Sequence, residues 1–146
     1  MAKQGVENNV HVYEVPLRWG DFDRYGHVTN SAYLEIAQEA RLAFAREYFY
    51  SQGHDFAVFV RRVEADYMRP ILPNTATAVI ETHVSRLGNT SFTTHQEIKD
   101  SQGRVCCVVE CVQVTVDDAT ATPRAITQQE IGILSLTAAP GAGELE

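Results

Sequence analysis

The chain is short of several things that would have narrowed its chemistry at once. No apolar run approaches the roughly 20 residues a membrane-spanning helix needs, so no membrane insertion is expected. The opening segment, MAKQGVENNV, lacks the apolar stretch of a secretory signal, and a cytoplasmic location is the expectation. Positive charge is scarce: 12 Lys and Arg stand against 19 Asp and Glu, a net charge of −7. That balance argues against nucleic acid or an anionic membrane as partner. It does not exclude a phosphorylated small molecule, because exposed charges are screened beyond about 8 Å and a local arginine cluster still holds a phosphate. Cysteine is limited to Cys106, Cys107 and Cys111, a spacing that matches no common zinc site and has no histidine close in sequence. On a strand Cys107 and Cys111 would share one face and Cys106 the other, and all three read as small buried side chains in a reducing compartment. A glycine-rich phosphate loop is absent, and so is the Gly-x-Ser-x-Gly elbow of a serine hydrolase.

What is present is one domain's worth of chain, 146 residues with 45% apolar and 21% charged content. Residues 1–9 are polar and read as a flexible lead, residues 10–136 as the single domain, and the Pro/Gly-rich residues 137–146 as a disordered tail. Val10–Leu17 alternates as a strand, with Pro16 marking an edge or end. A helix is expected from Ser31 to Tyr50, closed by Gly53. Its apolar positions cover more than one stripe, and Ala37 and Ala40 would let a sheet approach closely. From Phe56 the period changes to two. Phe56–Tyr67, Thr75–Leu87, Ser91–Lys99 and Val105–Val116 read as four strands in a meander, with hairpin turns at Gly88-Asn89 and Asp100–Gly103. One sheet on one helix leaves edges uncovered, so a homodimer or homotetramer is expected.

The most informative stretch is Arg18 to Arg41, RWGDFDRYGHVTNSAYLEIAQEAR. Asp21 and Asp23 sit in a short polar loop directly before the helix. A helix's first turn offers unpaired N–H groups and partial positive charge. Such a turn can polarise a carbonyl while a nearby carboxylate attacks it or activates water. The pattern points to acyl chemistry. His27 has two readings, the base of an Asp-x-x-x-His dyad or a residue that shapes the loop. Arg61, Arg62 and Arg69 on the second long strand and Arg86 by a hairpin suit phosphate recognition, or equally pair with Glu64 and Asp66 at the surface.

The segment D-x-D-x-x-G-H-V-x-N-x-x-Y-L, with Tyr67-Met68-Arg69-Pro70, Arg86-Leu87-Gly88 and Val114-Thr115-Val116-Asp117, resembles the hotdog-fold acyl-CoA thioesterases. The branch it is similar to is the 4-hydroxybenzoyl-CoA and long-chain acyl-CoA thioesterase type. The resemblance spans roughly residues 10 to 127. It implies an α+β hotdog fold, an antiparallel sheet of five or six strands wrapped around one long central helix. It further implies hydrolysis of acyl-CoA thioesters, with Asp23 as nucleophile or general base and the N–H at Asn30 as oxyanion donor. Coenzyme A would enter only as part of the substrate, and no metal or redox cofactor is implied. Tyr33 falls near the helix start as a core or substrate-contacting residue. Thr29 departs from the family, whose members usually carry a second Asn there. Two other activities fit the same fold: an enoyl-CoA hydratase or dehydratase, for which the Asp23-to-His27 spacing is one residue short, and a non-catalytic acyl-CoA binding module.

Overall fold

The computed structural model describes residues 4–7 and 9–138. In chain order the elements are β1 (Gln4–Glu7), β2 (Val10–Pro16), α1 (Asn30–Tyr48), β3 (Val58–Tyr67), β4 (Thr77–Leu87), β5 (Ser91–Lys99), β6 (Val105–Thr115) and α2 (Gln128–Leu134). The strands form one six-stranded antiparallel sheet in the order β1-β2-β4-β5-β6-β3. With α1 packed along one face, this is the α+β hotdog architecture.

Two features differ from the sequence reading of the sheet. Only β4, β5 and β6 form a meander; β3 lies at the far edge beside β6, and β4 pairs with β2 instead. The connection from Tyr67 to Thr77 carries Pro70 and Pro73 and is too long for a hairpin, so it crosses to another strand position. The second difference is at the N-terminus. Within the stretch expected to be flexible, Gln4–Glu7 pairs with Val10–Tyr13. Asn9 makes the reversal with φ 65°, a conformation asparagine tolerates better than most residues.

The α1 helix is wrapped as its composition demands. Thr29 caps it, its Oγ1 accepting from the Ala32 N–H at 3.2 Å. A short 3-10 turn at Tyr50–Gln52 follows, and Gly53 closes it with φ 74°. Ala32, Ile36, Ala37 and Ala40 are buried against Ile80, Ile98 and Val109 of the sheet. Alanine has no side chain to hold the layers apart, so helix and strands approach closely. Beyond Ala40 the core turns aromatic: Phe44, Phe49, Phe56 and Phe92 cluster, with Phe49 and Phe56 stacked at 4.0 Å.

Two local corrections concern the ends of strands. Lys99 pairs with Val105 and Ile98 with Cys107, so Cys106 is the extra residue of a bulge. It therefore joins Cys107 in the core rather than facing away from it. The second is α2, which alternation of period two does not reveal. Thr127 and Glu130 form a capping box at its start, and Leu134 is buried in the aromatic core. Glu130, 1% exposed, holds this end down: it accepts from Arg124 at 2.8 Å and lies 2.7 Å from His54 Nε2. Thr137, expected in the tail, is also buried, and Ala138 bridges to Val84; the rest of the expected tail, residues 139–146, lies outside those described.

Candidate active site

The loop between β2 and α1 is built by its two acids in different ways. Asp21 faces inward and is 4% exposed. Its carboxylate accepts from the Arg18 N–H at 2.7 Å and from the Arg18 guanidinium at 3.1 Å. Its carbonyl accepts from the Thr29 N–H at 2.8 Å, which ties the loop to the helix cap. Asp21 is thus a structural acid whose groups are committed.

Asp23 is exposed and turned outward. Its Oδ1 accepts from the backbone N–H groups of Tyr25 at 2.9 Å and His27 at 3.1 Å. Its own N–H donates to the His27 carbonyl at 2.8 Å. Gly26, with φ 79°, permits the tight return, and a side chain there would press on Pro73. The His27 N–H, opposed by slight desolvation and aided by the Tyr25 N–H, holds the Asp23 carboxyl below its ordinary range. It is a carboxylate at neutral pH, and Oδ2 accepts from no protein group among the described residues.

The helix start lies directly after this loop. Among the described residues the N–H groups of Asn30 and Ser31 have no protein acceptor, as expected of a first turn. The floor is rigid. Ile71, fully buried in the β3–β4 connection, accepts from the Val28 N–H at 3.2 Å and donates to the Tyr33 hydroxyl at 3.0 Å. Tyr67 packs edge-on against Tyr33 and donates to the Asn30 carbonyl at 3.3 Å.

The remaining sequence candidates fall in different places. Tyr33 is 3% exposed, with its hydroxyl committed to Ile71, so it supports the site from below. The His27 imidazole makes no hydrogen bond to Asp23; the link between the two residues is through the backbone. Arg62 and Arg86 share a shallow depression with Glu64 and Glu110 on the sheet face opposite α1. There Arg62 pairs with Glu64 at 3.3 Å, both well exposed. Arg61 is the extra residue of a bulge in β3. Arg69 lies two residues before Ile71, on the segment that buttresses the loop. The structure therefore brings Asp23, His27 and Asn30 together and leaves the arginines dispersed.

Two features escaped the sequence reading. Trp19 and Tyr25 are 94% and 69% exposed on the same loop as Asp23, with the Arg24 guanidinium over the Tyr25 ring. Aromatics this open in a polar loop next to a candidate acid were the available signal. The second is a cavity of about 280 Å³ between the C-terminal half of α1 and the sheet, which contains Arg41. Arg41 stands four residues after Ala37 and three before Phe44, on an otherwise apolar face, and that position was the only hint.

A long helix against a six-stranded antiparallel sheet defines a hotdog protein. Residues 17–132 match the model of the thioesterase-like superfamily, and the chain belongs to that family. Solved structures agree on the fold. The PA5185 protein from Pseudomonas aeruginosa strain PAO1 is 26% identical, with a TM-score of 0.79 over 89% of this chain and 92% of its own. A thioesterase from Thermus thermophilus, crystallised with coenzyme A and zinc, is 23% identical, with a TM-score of 0.75 over 88% and 94%. A 1,4-dihydroxy-2-naphthoyl-CoA thioesterase from Synechocystis is 16% identical, with a TM-score of 0.72 over 86% and 95%. No curated protein matches the sequence.

Proposed function

We propose that the protein hydrolyses acyl-CoA thioesters to a free acid and coenzyme A, with Asp23 as the reacting carboxylate. The observation that carries this reading is the asymmetry of Asp23. One oxygen is bound by two backbone N–H groups and the other is left open, directly before a helix whose first N–H groups are unpaired. A thioester carbonyl seated on the Asn30 N–H would be polarised there, and the developing oxyanion would meet the positive end of α1. Asp23 Oδ2 then attacks the carbonyl carbon, expelling the thiolate and leaving a mixed anhydride that water cleaves. Alternatively it takes a proton from a water that attacks directly. A thiolate is a good leaving group, so neither route needs a strong general acid. The pinned Oδ1 fixes the direction of Oδ2 in both.

Support for coenzyme A as the carrier comes from the family and from the bound coenzyme A in the Thermus protein. Arg69 is the arginine best placed to contact its phosphates, because its segment touches the acid loop. The protein is proposed to work as a dimer joined along β3. That strand ends the sheet, and Val60, Val63 and Tyr67 on it are 41–46% exposed. An unpaired apolar edge of this kind invites a second copy. A panel of acyl-CoA thioesters of varied chain length and aromaticity, followed by release of free thiol, tests the reading. Turnover of at least one thioester supports it, and no turnover across the panel overturns it.

A further inference from the structure

The cavity beside α1 holds a charge that the proposed hydrolysis does not use. Arg41 Nη1 donates to Gln96 Oε1 at 2.9 Å. Gln96 is fully buried, and its amide nitrogen donates to the Ala37 carbonyl at 2.9 Å and to Thr82 Oγ1 at 3.1 Å. The amide is thus held in one orientation and fixes the guanidinium in turn. Among the described residues no carboxylate pairs with Arg41, and burial depresses its pKa. Among the same residues its Nε and Nη2 have no acceptor, which leaves one whole edge of the fork open. The walls are mainly apolar, with Phe44, Phe49, Phe56, Val84, Phe92 and Leu134, and Gln38, Thr94 and Gln113 add neutral polar groups.

A guanidinium fixed by a neutral amide inside an aromatic chamber is costly unless an anion joins it. The free edge presents two parallel donors, which match the two oxygens of a carboxylate. Arg41 is the one cationic side chain in the lining, which favours a monoanion. The chamber is of a size for a small apolar group. We propose that this cavity binds a carboxylate with an aliphatic or aromatic body, the body among the phenylalanines and the carboxylate on the Nε and Nη2 edge of Arg41. The carboxylate has two sources: a free acid, or the far end of an acyl group whose thioester lies at Asn30. Eleven residues of helix separate Asn30 from Arg41, about 16 Å along the axis. The second source rests on the thioesterase reading; the first does not.

Calorimetric titration of the full chain with octanoate and with octan-1-ol decides the matter. Octanoate should bind about tenfold tighter or better, the yield of one charge-assisted hydrogen-bonded pair. Arg41→Gln should erase that preference while octan-1-ol binding persists. Equal affinity for acid and alcohol in the unaltered protein overturns the proposal, and that comparison stands even if Arg41→Gln fails to fold. Absence of octanoate binding also overturns it, as it would if a second copy already supplied Arg41 with a carboxylate. A lower KM for suberoyl-CoA than for octanoyl-CoA, lost in Arg41→Gln, would identify the acyl tail as the source. Octanoate binding through Arg41 with equal KM values, or without any thioester turnover, identifies a free acid. The last result would keep this site while removing the hydrolytic reading.

Discussion

Asp23 and His27 are joined twice, backbone to backbone from the Asp23 N–H to the His27 carbonyl at 2.8 Å and backbone to side chain from the His27 N–H to Asp23 Oδ1 at 3.1 Å. The imidazole takes no part. The pair shapes a loop that presents one carboxylate oxygen.

From this follows a separation of the two loop acids. Asp23→Asn keeps an oxygen able to accept both N–H groups but loses the negative charge. Its kcat should fall at least about a hundredfold, the scale of a lost base or nucleophile, with little change in melting temperature. Asp21→Asn should show the reverse balance, a smaller loss of rate and a clear loss of stability. It takes the charge from the buried Asp21 carboxylate, which the exposed Arg18 guanidinium and the Arg18 N–H hold at the root of the loop. Steady-state kinetics and thermal melts of both variants check this. If Asp21→Asn were the less active enzyme, the catalytic assignment would be wrong.

The dimer proposed along β3 gives a second test. Light scattering at micromolar concentration should show a dimer or larger assembly. Val63→Asp, which sets a charge on the exposed edge, should shift it toward monomer and lower thioesterase activity in step. A native protein that runs as a clean monomer would overturn the proposed dimer.

Packing of α1 is tested at Ala40, which has no exposed surface. Ala40→Leu adds volume where helix and sheet already touch, and should destabilise the fold by about 1–3 kcal/mol in chemical denaturation. An unchanged midpoint would mean the layers are not in close contact.

Acid should release the C-terminal helix. Burial alone would raise the Glu130 pKa, but hydrogen bonds from Arg124 and His54 outweigh it and bring it to about 2, from an ordinary 4.5. Because the folded value is the lower one, the contribution of Glu130 is full above pH 4.5 and is lost as pH falls toward about 2. Glu130→Gln should therefore be less stable than the parent at neutral pH, and the gap should narrow as pH falls through that window. A constant gap would show that the ionised carboxylate is not what anchors α2.

The legible parts of this chain are those where local pattern and final packing agree. The ends of β3, β4, β5 and β6 fall within two residues of the positions read from alternation; β4, β5 and β6 each have one face on the core, whereas β3 is largely exposed. The loop that carries Asp23 was legible because its acids, Gly26 and the helix start are all local. The order of the strands was not, since only the long Pro-containing connection distinguishes a neighbour from a crossover. Nor was the depth of Arg41. A guanidinium in a helical run looks solvated until Gln96 and Thr82, fifty-five and forty-one residues away, close over it.

The three thiols supply a convenience for all these measurements. Burial, with Asp66 and Cys106 adding, pushes the Cys107 thiol up to about 12, and burial likewise raises Cys106 and Cys111. The thiolate is the reactive form and all three thiols are buried, so the native chain is expected to give no signal with thiol-detecting dyes at working pH. Colour in a thiol-release assay then reports product alone, against a flat baseline. The same dyes become a clock for the fold itself: three equivalents of label per chain, appearing only when the sheet opens, count global unfolding without any engineered probe.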